Sequence, residues 1–111
     1  MQKDQLQKDY GEILLNKFTK KRYEEVIKET EKLMLTFGES IFGYSIIGNS
    51  YFNLKNYKDS IFAFEKEILL SSDENFLPYF NLARSYKLLG QNKLAEKNFL
   101  LSHKINPDYF L

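Results

Sequence analysis

The strongest constraint on the fold is that the sequence repeats itself about every 34 residues. Tyr10 and Tyr44 lie 34 residues apart, and Tyr44 and Tyr79 lie 35 apart because one residue is inserted near Asn75. A period of about 20 to 50 residues is typical of proteins whose units stack, so that each unit buries the apolar face of its neighbour. We therefore predict a single domain over residues 1–111, with units at 7–40, 41–74 and 76–109.

Each unit has the apolar spacing of two helices. In the second unit Phe42, Ile46 and Tyr51 recur at helical spacing, and a second apolar series begins at Ile61 after a short polar break. Only five Gly and two Pro interrupt the chain, and both residue types weaken a helix interior. The sequence predicts an all-α protein of about six helices.

The large and small residues of these units follow a fixed order. An aromatic residue is followed by an aliphatic residue, a small residue and a Tyr, and in the second helix a small residue precedes an aromatic one. These residues are Tyr44, Ile47, Gly48, Tyr51, Ser60 and Phe64 in the second unit, and Tyr79, Leu82, Ala83, Tyr86, Ala95 and Phe99 in the third. The pattern resembles the tetratricopeptide repeat. The resemblance implies a right-handed superhelical solenoid of three helix-turn-helix repeats, in which small residues let neighbouring helices approach closely.

Four positions depart from this pattern. Leu14 stands where a small residue is expected, and Lys17 and Thr30 stand where aromatic residues are expected. We interpret these changes as looser packing demands on a first unit that has no neighbour on its outer side. Glu67 occupies a position that the family usually gives to a small residue. We expect its side chain to reach out of a partly buried seam, and a functional buried charge is the alternative.

The sequence lacks the residues that most catalytic and metal sites need. It has no Cys and a single His, which excludes thiolate chemistry and multi-histidine metal sites. It contains no nucleophile–base pair, no Gly-rich phosphate loop and no metal-ligand spacing. We therefore expect a protein that is not an enzyme and that uses no metal and no cofactor.

Charge and hydropathy argue against two classes of partner. The chain carries 16 Lys and Arg against 15 Asp and Glu, whereas nucleic-acid-binding domains usually have a marked basic excess. The cluster that best suits single-stranded nucleic acid is Arg84, Lys87 and Lys93 beside aromatic residues. No apolar run approaches the roughly 20 residues that span a bilayer. We expect no nucleic-acid or membrane partner and a cytoplasmic location, and the Lys, Ile, Asn, Phe and Tyr content suggests a bacterial source.

The resemblance also implies where a partner binds, because in this family the first helix of each repeat lines the concave face. The groove positions here combine aromatic and apolar side chains with a few polar ones, which suits a peptide segment or an amphipathic helix. Asn49, Phe52 and Asn53 share one helix face by their spacing alone. The alternative for the Phe residues is that they fill seams between repeats. The predicted peptide-binding residues are Leu15, Phe18, Phe42, Asn49, Phe52, Asn53, Phe80, Arg84 and Lys87.

The best-known groove of the family is a clamp of Lys, Asn and Arg that holds the C-terminal carboxylates of chaperones. Its five positions fall here on residues that supply no cation, namely Gly11, Leu15, Ile46, Leu77 and Asn81. Without cations at these positions, the groove is unsuited to the carboxylates of a chaperone tail. A protein or peptide of other chemistry is expected, and the leading function is a non-catalytic adaptor or scaffold.

The last helix supports an alternative function. Solenoids usually finish with a polar capping helix, but here apolar residues recur at helical spacing up to the aromatic end of the chain. Either the tail folds back over this stripe, or another copy of the chain covers it, or it packs on further repeats of a longer protein. An uncovered apolar stripe favours association. The alternative is therefore a self-assembling structural unit, a homo-oligomer formed through Leu94, Leu101, Ile105 and Phe110.

Overall fold

The computed structural model describes residues 4–108, which form six helices and no strand. The helices are α1 Gln5–Thr19, α2 Tyr23–Phe37, α3 Ile41–Asn53, α4 Tyr57–Leu70, α5 Leu77–Leu88 and α6 Asn92–Ile105. Each repeat contributes one packed pair, α1 with α2, α3 with α4 and α5 with α6. The prediction of an all-α solenoid of about six helices is confirmed. Within this part of the chain, no helix is both long enough and apolar enough to cross a membrane.

Side-chain caps mark the starts of α1, α3 and α4, and at α4 the Asn56 side chain accepts a hydrogen bond from the N–H of Asp59 at 3.4 Å. Asp4 accepts a hydrogen bond from the backbone N–H of Gln7 at 3.1 Å, and Ser40 accepts one from the N–H of Gly43 at 2.8 Å. Such bonds satisfy donors that the first turn of a helix leaves without partners. α5 begins instead with Pro78 in its first turn, where the missing N–H costs little.

The turn inside every repeat has the same left-handed geometry. It places Lys21, Lys55 and Gly90 at φ values of 62°, 64° and 88°. The N–H of the next residue reaches back to a carbonyl of the preceding helix, as in the bond from Asn56 to Tyr51 at 2.9 Å. This geometry satisfies carbonyls at the helix end, and Gly adopts it most easily because it has no Cβ. Lys21 and Lys55 therefore carry a conformational cost that Gly90 avoids.

The helix pairs stack so that odd-numbered and even-numbered helices lie on different sides. Besides the contacts between successive helices, α1 packs on α3 and α3 packs on α5. No comparable backbone approach joins α2, α4 and α6 within residues 4–108. The odd-numbered helices therefore form the inner, concave side, and the even-numbered helices spread apart on the outer side.

The seam between α3 and α4 depends on one small residue. A Cβ on Gly48 would lie 2.6 Å from the ring of Phe64. Phe64 is fully buried and packs in a cluster with Ile61 and Leu82. The expectation that a small residue lets these two helices approach closely is confirmed at Gly48.

In the first repeat an ion-pair network stands in place of an aromatic contact. The Lys17 ammonium lies 2.7 Å from Glu29 and 2.9 Å from Glu25. The hydrogen bond to Glu29, followed by that to Glu25, raises the pKa of Lys17. Leu14 is buried in an apolar cluster with Val26. This large residue, which stands where the repeat pattern has a small one, therefore packs between α1 and α2.

The expectation that Glu67 reaches out of the seam is wrong. Glu67 is 5% exposed, and its Oε1 has no hydrogen-bond partner among residues 4–108. It shares one face of α4 with Phe64 and Ser60, and the Ser60 hydroxyl donates to the Ser85 hydroxyl of α5 at 3.0 Å. Since this face lies against α5, the side chain is enclosed, and burial raises the pKa of its carboxyl to about 7.

Candidate peptide-binding groove

The centre of the concave side is a guanidinium group beside two aromatic rings. The Cζ atom of Arg84 on α5 lies 4.3 Å from the ring centroid of Phe52 on α3 and 5.9 Å from that of Phe80 on α5. A cation is attracted to the face of an aromatic ring, and the planar guanidinium also stacks on it. The stacking of repeats thus brings together three predicted groove residues that come from two different repeats.

Most of the hydrogen-bond donors of Arg84 have no partner among the residues that the structure describes. One Nη1–H donates to the side-chain oxygen of Asn81 at 3.3 Å. No carboxylate in the described residues forms an ion pair with Arg84. A guanidinium carries five N–H donors and binds a carboxylate through two of them. The group can therefore accept a carboxylate without first breaking an ion pair.

The two rings beside Arg84 also pack within the protein. Phe52 meets Tyr57 edge to face with 5.4 Å between ring centroids, and Phe80 meets Phe99 in the same way at 5.5 Å. Both Phe residues remain half-buried. Each ring therefore fills part of a seam and leaves part of its surface on the concave side.

Asn49 and Asn53 use their side-chain donors within α3. The Asn49 amide N–H donates to the carbonyl of Ser45, and the Asn53 amide N–H donates to the carbonyl of Asn49, both at 2.8 Å. Their side-chain oxygens accept no hydrogen bond from residues 4–108. The backbone N–H groups of a peptide are suitable donors for these oxygens.

A shallow depression lies at the first-repeat end of the concave side. Leu15 and Phe42 line this cavity of about 450 Å³. Phe42 and Phe18 also pack against the buried cluster of the first repeat, and Phe18 meets Tyr23 edge to face at 5.3 Å between centroids. The structure therefore places Leu15 and Phe42 in one depression, while Phe18 is half-buried and is not among the residues that line it.

The structure places Lys87 on the surface of α5, where α5 meets α6. It is exposed, and it lines a separate depression between α5 and α6 together with Phe99 and Leu100. Its predicted role in the same groove remains a prediction.

The predicted oligomer face is partly exposed. Leu94 and Leu101 on α6 are 40% and 36% exposed, and Ile105 is half-buried. Asn98, which shares their helical spacing, is buried and donates its amide N–H to the carbonyl of Leu94 at 2.9 Å. Phe110 lies outside the described residues.

A cavity on the outer side of the solenoid was not among the predicted sites. It is a cavity of about 450 Å³ between α2 and α4, with Tyr44, Ile47 and Tyr51 of α3 as its floor. We call it the outer crevice. In the repeat pattern these three residues are large positions of the first helix, which predict packing and no separate site. The signal for the crevice is the placement of large apolar residues, Leu35 and Phe62, on the outward faces of α2 and α4.

The described residues hold no group of three or more His, Cys, Asp or Glu placed to bind a metal ion.

A search of curated proteins found no relative that matches the chain. A family model for the tetratricopeptide repeat matches residues 43–74 and 78–109, which is more than half of the chain. Repeats of this type generally mediate protein–protein interactions and are generally not catalytic. With its stacked helix pairs and these two matches, the chain belongs to the tetratricopeptide repeat family.

Proposed function

We propose that the chain is a non-catalytic adaptor or scaffold that holds a segment of a partner protein on its concave side. The observation that carries the proposal is the Arg84 guanidinium, which is stacked on Phe52 and has no ion-pair partner among residues 4–108. The partner segment places a carboxylate on Arg84 and an apolar side chain against the rings of Phe52 and Phe80. The peptide N–H groups of the segment donate to the side-chain oxygens of Asn49 and Asn53.

The physical argument is one of preorganisation. The side chain of Arg84 is already ordered by two rings and by Asn81, so less conformational entropy is lost when it binds. An aromatic surface supplies contact area, and the carboxylate–guanidinium pair sets the register of the segment. An acidic residue beside an apolar one, or an apolar C-terminal residue with its own carboxylate, has this chemistry.

The test is a selection of random peptides on the purified protein. The wild type is compared with the triple variant Asn49→Ala, Phe52→Ala, Arg84→Glu and with the control Lys93→Glu, which makes the same charge change at an exposed position on α6. We expect selected peptides to combine a carboxylate with an apolar residue. They should lose at least about tenfold in affinity to the triple variant and keep it with the control. The same proteins then serve as baits for affinity capture from a lysate of the source cells.

Selected peptides that bind the triple variant as tightly as the wild type, while circular dichroism shows both proteins folded, would refute the concave assignment.

A second candidate is self-association through the end of the solenoid. The observation that favours it is the exposure of Leu94 and Leu101 on α6, next to the more exposed Leu100. Light scattering over a range of concentrations tests it, with Leu101→Lys as the disrupting variant. A monomer at all concentrations would remove this candidate. The cytoplasmic location and the bacterial source stay predictions from the sequence.

A further inference from the structure

The outer crevice is an apolar cavity between two helices that spread apart. Its floor is Tyr44, Ile47 and Tyr51 on α3. At its edges, Leu35 on α2 is 89% exposed and Phe62 on α4 is 61% exposed. A cavity of about 450 Å³ lies in the size range of ligand pockets. Large exposed apolar residues around a cleft mark interaction sites.

One end of the crevice already holds a cation. Near Tyr44, the ammonium of Lys66 lies 3.6 Å from the carboxylate of Glu39 and 6.0 Å from the ring centroids of Tyr44 and Phe62. The Tyr44 hydroxyl donates to the same carboxylate at 2.9 Å. At this end the carboxylate that lines the crevice is therefore paired with a cation, which also lies within cation–π range of two lining rings.

The other end has the carboxylates without the cation. It lies about 10 Å further along α3, two helical turns away, at Tyr51. Glu31 and Asp59 line the crevice here, and neither forms an ion pair within residues 4–108. Within the described part of the chain, the Asp59 carboxylate accepts a single hydrogen bond, from the side-chain amide of Asn56 at 2.7 Å. Burial raises the pKa of Tyr51, and the negative charges of Glu31 and Asp59 raise it further. This end therefore presents two carboxylates without an ion-pair partner among the described residues, beside an apolar surface.

The next junction of the solenoid lacks this combination. In the repeat register, Asp59 corresponds to Leu94 and Phe62 corresponds to Lys97. The counterpart of Glu31 is Glu65, which accepts a hydrogen bond from the Tyr86 hydroxyl at 3.3 Å. The acidic apolar crevice is thus a property of side chains at the first junction and does not follow from the repeat backbone.

We propose that the outer crevice binds a segment of a partner protein that places an apolar side chain over Tyr51 and a Lys or Arg beside Glu31 and Asp59. The charge decides the kind of partner, because an acidic rim attracts a basic segment and repels phosphate-rich surfaces. This surface faces away from the concave groove, and the proposal does not rest on the function proposed for that groove.

The test uses a fluorescent synthetic peptide of about twelve residues, with Leu and Phe on one helical face and Lys residues beside them. Binding is measured by fluorescence anisotropy at low and high salt. The crevice variants are Leu35→Ser and the double variant Glu31→Lys, Asp59→Lys. Their matched controls are Leu69→Ser, the exposed counterpart of Leu35 in the next repeat, and a double Glu→Lys change at the exposed residues Glu24 and Glu74.

We expect the peptide to bind the wild type and both controls, and to lose at least about tenfold in affinity to each crevice variant. A peptide with Glu in place of Lys should not bind. Equal affinity for wild-type and crevice variants would overturn the proposal, as would loss of binding in Arg84→Glu, which assigns the peptide to the concave groove. Sedimentation of the wild type as a dimer that Leu35→Ser converts to a monomer would also overturn it, because a second copy would then be the occupant.

Discussion

Replacing Glu67 with Gln should stabilise the protein above neutral pH and have little effect under acidic conditions. The Glu67 carboxyl is 5% exposed in the seam between α4 and α5, and one of its oxygens has no hydrogen-bond partner among the described residues. Burial disfavours the charged form, so the pKa rises from 4.5 to about 7 on folding. Glutamine has the same shape and remains neutral at every pH.

The expected change in the free energy of unfolding follows from proton linkage. The folded-state pKa is above the unfolded value, so the folded protein binds a proton that the unfolded chain has released. The stability contributed by the protonated carboxyl is complete below pH 4.5 and is lost as the pH rises through about 7. A shift of this size corresponds to about 3 kcal/mol in the free energy of unfolding. Between about pH 5 and about pH 8 the loss is about 2.5 kcal/mol, which is about 10 °C in Tm.

Urea unfolding followed by far-UV circular dichroism measures this difference. The free energies of unfolding of wild type and Glu67→Gln are compared at about pH 5 and about pH 8. The free energy of unfolding of Glu67→Gln, relative to that of the wild type, should rise by about 2.5 kcal/mol from the lower pH to the higher one. Any cost of the glutamine amide itself is the same at both pH values and cancels. Glu74→Gln, at an exposed position in the loop before α5, is the control and should show no such growth.

A pH-independent difference between Glu67→Gln and wild type would refute the reasoning. It would mean that the Glu67 carboxylate is solvated or paired in the folded protein. A wild type that gains stability from about pH 5 to about pH 8 relative to Glu67→Gln would contradict the sign of the pKa shift itself.

Three further predictions address packing, turn geometry and binding. Gly48→Ala should destabilise the protein by about 1–3 kcal/mol in thermal unfolding, because the new Cβ would lie 2.6 Å from the Phe64 ring; Gly11→Ala, with its nearest contact at 3.4 Å, is the milder control. Lys55→Gly should stabilise by up to about 1 kcal/mol, because φ is 64° at this residue, and unchanged urea unfolding would contradict this. Phe52→Ala should weaken peptide binding while circular dichroism shows unchanged helicity, and loss of the helical signal would make Phe52 a core residue.

The family and the helices could be predicted because their signals are local or periodic. Apolar spacing within about fifteen residues defines each helix, and the 34-residue period defines how helices pair. Gly48 illustrates this, because its small size in the repeat pattern predicts the close approach of Phe64 that the structure shows. The left-handed turns at Lys21 and Lys55 were not predicted, since Lys carries no signal for a positive φ.

The candidate site could be predicted only as a set of positions. The resemblance selects residues on the first helix of each repeat, but it does not say which of them meet. Arg84 stacks on Phe52, 32 residues earlier in the sequence, because α5 packs on α3. Lys87 belongs to the same predicted set and lines a separate depression.

The repeat period, the all-α class and the absence of Cys and of recognised catalytic motifs follow from the order of the amino acids alone. What surrounds each side chain follows only from the way the helices stack. Stacking of α5 against α4 encloses Glu67, and the spreading of α2 and α4 opens the outer crevice above Tyr51. The physical reason is that burial and electric potential depend on contacts between residues far apart in the chain, and these contacts exist only after the repeats have stacked.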